Sequence, residues 1–151
     1  KNVLVINLLG RVFLNEGLDS PFQMVEQILN KYKNKKLEGI IIDFHAETTS
    51  EKKALFYYLD GKVTAVLGTH THVQTADEQI SKNGTAFISD VGMTGPEDSI
   101  IGMDKDIVLK RFLTGLPVTF KPGEKSPILS GVVLEINNGK AKTVERILIR
   151  E

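Results

Sequence analysis

The sequence predicts an α/β domain whose first half rests on a parallel sheet and whose second half adds antiparallel strands. Two observations carry that reading. Up to residue 72, short continuous apolar runs alternate with stretches of helical spacing, the order that builds a parallel layer covered by helices. Beyond it the pattern changes, and strand-like segments are joined by Asn-Gly turns, which favour hairpins. A length of 151 residues suits one domain, spanning residues 1–151.

Val3 to Leu8 is apolar except for Asn7, with Gly10 behind it, as expected of a strand covered on both faces. Ser20-Pro21 supplies an N-cap and a proline at the first helical position. Phe22, Val25, Ile28, Leu29 and Tyr32 follow at helical spacing, and lysines between Lys31 and Lys36 suit the negative end of the helix dipole. Gly39 to Phe44 forms a second apolar strand that runs into His45.

Thr48 and Glu51 have capping-box spacing at the start of a second helix, whose apolar side is Ala54, Leu55, Tyr58 and Leu59. Asp60-Gly61 turns the chain into a third strand, Val63 to Leu67, which ends in Gly68-Thr69-His70-Thr71-His72. Lys82-Asn83-Gly84 joins Gln79-Ile80 to Thr85–Ser89 as a hairpin, and Asp90 to Gly102 reads as a surface loop. A short helix from Asp104 to Leu113 follows, then strands at Val118-Thr119-Phe120, Leu129–Ile136 and Lys142–Ile149, the last two joined through Asn137-Asn138-Gly139.

Composition removes several function classes. Basic and acidic residues both number 19, so no whole-domain charge draws the chain to long nucleic acid. The lack of cysteine excludes thiol catalysis and iron–sulfur ligation and fits a reducing, cytoplasmic setting. No apolar run reaches the ~20 residues that span a bilayer. A start on a buried-looking strand, without methionine, is expected of a piece of a larger protein.

Parallel α/β sheets bind ligands beyond the carboxyl ends of their strands. Two of the first three strands end in histidine, and together they use all three histidines of the chain. Asp43, His45 and Glu47 alternate along one extended segment and share a face. His70 and His72 also share a face, about 6.5–7 Å apart at ~3.3 Å rise per residue, a separation suited to one ion or to two neighbouring ions. Gly68 either turns the backbone sharply or admits a close approach by another group.

Gly68-Thr69-His70-Thr71-His72-Val73-Gln74 resembles the last histidine motif of the calcineurin-like metallophosphoesterase superfamily. Together with Asp43-Phe44-His45-Ala46-Glu47-Thr48-Thr49-Ser50-Glu51-Lys52 and Ser89-Asp90-Val91-Gly92-Met93-Thr94-Gly95-Pro96, it is similar to the bacterial YmdB-like branch, whose members hydrolyse phosphodiesters of cyclic nucleotides. The resemblance implies a layered metallophosphoesterase-like sheet with helices. It also implies two divalent transition-metal ions (iron, manganese or zinc), with His45 and His70 on one and His72 on the other. Asp43, Glu47, Asp77 and Asp90 receive no ligand role from it and are candidates to orient the histidines from behind.

The family's Gly-Asp, Gly-Glu-Asn and Gly-Asn-His blocks, which supply a bridging acid and the general-acid histidine, do not occur in this sequence. By the resemblance the chain is therefore the C-terminal half of such a domain, its fold is incomplete without the N-terminal half, and it holds no catalytic general acid. Two cations about 4 Å apart repel by roughly 4 kcal/mol per product of unit charges at an effective dielectric of 20, so they need anionic bridges. At most one weakly held ion is expected here, with negligible activity for the chain alone.

The expected partners are a cyclic nucleotide or other phosphodiester, the N-terminal half, and a possible second copy, with no membrane. The alternatives are a non-catalytic binding or assembly fragment and a relative of the capsule-synthesis metallophosphatases.

Overall fold

The structure, a computed structural model, describes residues 2–14 and 17–151; Lys1, Asn15 and Glu16 lie outside the described residues. Eight strands and three helices are described, in the order β1 (Val3–Leu9), α1 (Pro21–Tyr32), β2 (Gly39–His45), α2 (Thr49–Tyr58), β3 (Ala65–Thr69), β4 (Gln79–Ile80), β5 (Ala86–Ile88), β6 (Gly95–Pro96), α3 (Lys105–Thr114), β7 (Pro127–Asn137) and β8 (Lys140–Arg150). They form a five-stranded sheet, β1-β2-β3-β5-β4, and a three-stranded sheet, β6-β7-β8. The expected division holds. β1, β2, β3 and β5 run parallel. The hairpin β4–β5 and the second sheet are antiparallel.

The apolar runs explain the layering. Ile6, Leu8, Ile42, Phe44, Val66 and Phe87 point from the first sheet towards Val25 of α1 and Leu55, Phe56 and Leu59 of α2, forming the larger core. The phenyl rings of Phe56 and Phe87 stack with centroids 4.8 Å apart. The opposite face meets the second sheet through Ala65, Ala86 and Ala141, with Ile41, Leu67, Ile80, Leu134 and Val144 around them. Small side chains at that seam let the two sheets approach. The β7–β8 turn needs two left-handed residues, and Asn138 (φ 51°) and Gly139 (φ 77°) supply them.

Four local expectations are corrected. β1 is covered on one face only: Val3, Val5 and Leu9 are exposed, because β8 of the second sheet packs over β4 and β5 at the far side of the first sheet. The buried stripe of α2 runs through Glu51, Lys52, Leu55, Phe56 and Leu59, so Ala54 and Tyr58 face outward. Thr48 does accept the Glu51 amide at 3.3 Å, but the Glu51 carboxylate does not close the box. It accepts the Arg11 and Val12 amides of the loop after β1 instead, at 3.0–3.3 Å. Val118-Thr119-Phe120 is no strand. Its neighbourhood pairs only through an isolated bridge between Met103 and Pro122.

Ser20 stands at the α1 N-cap with Pro21 behind it, yet its side chain makes no capping bond, so the proline alone marks the start. The loop expected from Asp90 to Gly102 contains the short strand β6, paired to β7. Among the described residues no helix is long and apolar enough to cross a membrane.

Phe56 is 1% exposed at the junction of α2 and the sheet. Phe56→Ala is expected to cost about 3–5 kcal/mol, the usual range for emptying a buried aromatic site. A urea titration followed by far-UV circular dichroism measures it.

Candidate functional site

In-register pairing sets the site. β1 places Asn7 beside Asp43 and Leu9 beside His45. β2 places His45 beside Thr69. All three strands end at the same edge, where a parallel sheet collects its loops.

A chain of hydrogen bonds orients the first imidazole. Asn7 Nδ2 donates to Asp43 Oδ2 at 2.8 Å. The Thr69 hydroxyl donates to Asp43 Oδ1 at 3.2 Å. With its proton committed there, Thr69 Oγ1 accepts from His45 Nδ1, 3.1 Å away. That tautomer turns the bare lone pair of His45 Nε2 outward, and it meets His70 Nδ1 at 3.1 Å. On its other side His70 Nε2 lies 2.5 Å from Glu47 Oε2. His70 thus stands between a lone pair and a carboxylate. Both neighbours are acceptors.

His45 and His70 offer a partial donor set for a transition-metal ion, two nitrogens without a third converging ligand among the described residues. Two nitrogens on one ion with bonds of ~2.0–2.1 Å sit roughly 3 Å apart, close to the separation of His45 and His70. Imidazoles with a carboxylate suit zinc, iron or manganese better than magnesium or calcium, which prefer all-oxygen shells.

His72 stands apart from these two. Its Nδ1 donates to the Ile101 carbonyl at 2.8 Å, which leaves Nε2 as a free lone pair on the exposed side of the loop. Among the described residues no three His, Cys, Asp or Glu side chains surround one point: His70 contacts His45 on one ring nitrogen and Glu47 on the other. A hollow of about 330 Å³ opens beside His72, walled by Met93, Ile101, Ile128, Leu148 and Arg146.

The backbone of the histidine loop is unusual. His70 (φ 128°) and His72 (φ 65°) both take positive φ, where residues with a Cβ are strained. Gly68, just before, lies where only glycine fits: a Cβ there would stand 1.9 Å from the Ser89 carbonyl oxygen. Of the two reasons for a glycine at this place, close approach is the operative one.

Asp90 lies directly behind the loop and accepts the Thr71 amide at 2.8 Å. Asp77 is more distant from the chemistry: it accepts from Thr75 Oγ1 at 2.7 Å and from the Ser89 amide at 3.0 Å, tying the loop to the end of β5. Gln74 Nε2 reaches the carbonyls of Val91, Gly131 and Ile147 at 3.0–3.2 Å, fastening the same loop to the second sheet. Sequence reasoning singled out neither Asn7 nor Thr69, nor the anchoring by Gln74. Asn7 alone left a signal, as the polar residue in an apolar run.

The model of the YmdB-like protein family matches residues 1–147. The chain belongs to the YmdB-like family. It is 53% identical over 153 residues to the 2',3'-cyclic-nucleotide 2'-phosphodiesterase of Bacillus subtilis, covering 100% of this chain and 57% of that protein. The crystal structure of a hypothetical protein from Thermus thermophilus superposes with a TM-score of 0.90 at 38% identity, over 99% of this chain and 57% of the other. That of a novel phosphatase from Mycoplasma pneumoniae gives 0.82 at 35% identity, over 97% and 52%. The chain therefore spans about half the length of the YmdB-like relatives it matches.

Burial pushes the Asp77 carboxyl up, but the hydroxyl and amide of Ser89 and the hydroxyl of Thr75 together hold it below its ordinary value. A depressed folded-state pKa means stability that is present above the unfolded value of about 3.9 and lost as pH falls through the folded one. Asp77→Asn is therefore expected to lower the melting temperature at pH 7, and by less at a pH below about 3.9. Thermal melts at the two pH values read the difference directly.

Proposed function

We propose that residues 1–151 form one domain, the C-terminal half of a metal-dependent phosphodiesterase that hydrolyses cyclic nucleotides in the cytoplasm, and that His45, His70 and His72 are its imidazole ligands. The observation that carries the reading is the 3.1 Å approach of His45 Nε2 to His70 Nδ1 at the ends of adjacent parallel strands. The named activity of the Bacillus subtilis relative supports the substrate class.

Each residue then has a task. The Asn7–Asp43–Thr69 relay keeps the His45 proton on Nδ1, so that Nε2 is free to bind a cation. Ile101 does the same for His72 through its carbonyl. Glu47 holds His70 and adds negative charge where cations would gather. Divalent ions, when bound, supply charge for the phosphoryl oxygens and an activated water. No side chain of this half is assigned as general acid. That group and the anionic bridge between two ions belong to the N-terminal half, so this chain alone holds at most one ion weakly and turns over negligibly.

One observation favours a second reading, a non-catalytic assembly module. β1 is an edge strand with Val3, Val5 and Leu9 exposed on its open face, and such strands recruit partners. Size-exclusion mass at two concentrations tests it, and a concentration-independent monomer counts against it.

For the phosphodiesterase reading, hydrolysis of a bis-aryl phosphodiester by the full-length protein should vanish with chelator and return with manganese. His70→Ala should lower kcat/KM at least ~100-fold, beyond the usual effect of losing a group that only supports a ligand. Activity of this chain alone, abolished by His70→Ala, would show instead that the site is complete without the other half.

A further inference from the structure

We infer that the buried ion pair between Lys52 and Asp90 is the brace that holds the histidine loop in its strained, ligand-presenting form. Lys52 and Asp90 are then positioning residues for His70 and His72. The inference rests on the metal-site reading above and extends it to a pair whose hydrogen bonds do not include either imidazole.

Both side chains are 1% exposed, and Lys52 Nζ lies 3.2 Å from Asp90 Oδ2. Ions are withdrawn from water at a cost that only good geometry offsets, so a pair this deep calls for a task beyond solubility. The path of the lysine supplies one. Lys52 leaves α2 and crosses strand β3 at Gly68, where a Cβ would come 3.0 Å from Lys52 Cδ. Glycine at 68, which the Ser89 carbonyl requires, also leaves room for the lysine stem on its way to Asp90.

Asp90 distributes that contact to the loop. The Oδ2 that receives Lys52 also accepts the Thr71 amide at 2.8 Å. Its Oδ1 accepts the Gly92 amide at 3.0 Å. Its backbone exchanges hydrogen bonds with Thr75, from Asp90 N to Thr75 Oγ1 at 3.0 Å and from Thr75 N to Asp90 O at 3.1 Å. Thr71 is the residue between the two positive-φ histidines. The carboxylate thus grips the loop at its midpoint. An uncharged apolar residue at 90 could not accept from three donors, and without Lys52 the buried carboxylate would lack its counter-ion.

The pair-removing variant Lys52→Met/Asp90→Asn of the full-length protein tests the brace, with Leu59→Ala as a control that weakens the core elsewhere. Two measurements are made: amide hydrogen exchange over residues 69–73 without metal, and manganese affinity by calorimetry. We expect the double variant to exchange at least ten times faster at Thr71 and to bind manganese 10–100-fold more weakly, the range usual for groups behind a ligand. Leu59→Ala should lower the melting temperature while leaving both readings near wild type.

A folded double variant with wild-type exchange and affinity overturns the inference, as does a Leu59→Ala protein that matches its losses. If the double variant does not fold, Lys52→Gln replaces it. Raised exchange confined to residues 69–73 supports the brace, and unchanged exchange there overturns it. His70→Ala separates the two readings. If it binds manganese as well as wild type does, the metal assignment fails, and the metal-free exchange result still decides the brace.

Discussion

Parallel pairing of β2 with β3 is the constraint from which the site descends. It sets His45 opposite Thr69, and one residue further along the chain is His70. A slip of one residue would send His45 to the helix-covered face, because alternate residues of a strand point to opposite sides. The register is held by the apolar core beneath. Ile42, Phe44 and Val66 are fully buried against the helices, and none can reach solvent without emptying that space. Packing on one face of the sheet thereby determines chemistry on the other.

Much of this was legible in the amino-acid order. The three apolar runs became β1, β2 and β3, and the Asn-Gly turns became hairpins, because hydrophobic period and turn chemistry are local signals. His45 and His70 converge for the same reason, since each follows directly from a strand whose position was readable. What was not legible depends on distant partners. The bare face of β1 reflects how far the second sheet extends, and nothing in Val3 to Leu9 encodes that extent. Val118-Thr119-Phe120 has the composition of a strand but finds no neighbour with which to form a ladder.

The outward turn of His72 belongs to the same class. The spacing of His70 and His72 suggested two rings on one face of an extended segment, but positive φ at both residues abandons extended geometry. Glu51 illustrates a competition between local and distant partners. Its spacing from Thr48 suits a capping box, yet the amides of Arg11 and Val12 offer its carboxylate more bonds than the helix end does.

The backbone of the histidine loop carries an evolutionary consequence. At positions 70 and 72 the conformation would be easiest for glycine, the residue without a ring nitrogen to offer. Relief of a conformational cost of about 1–3 kcal/mol at each position is thus closed to simple substitution as long as the imidazoles are required. Adaptation towards greater robustness has to act on the surroundings of these two residues and leave their identity alone.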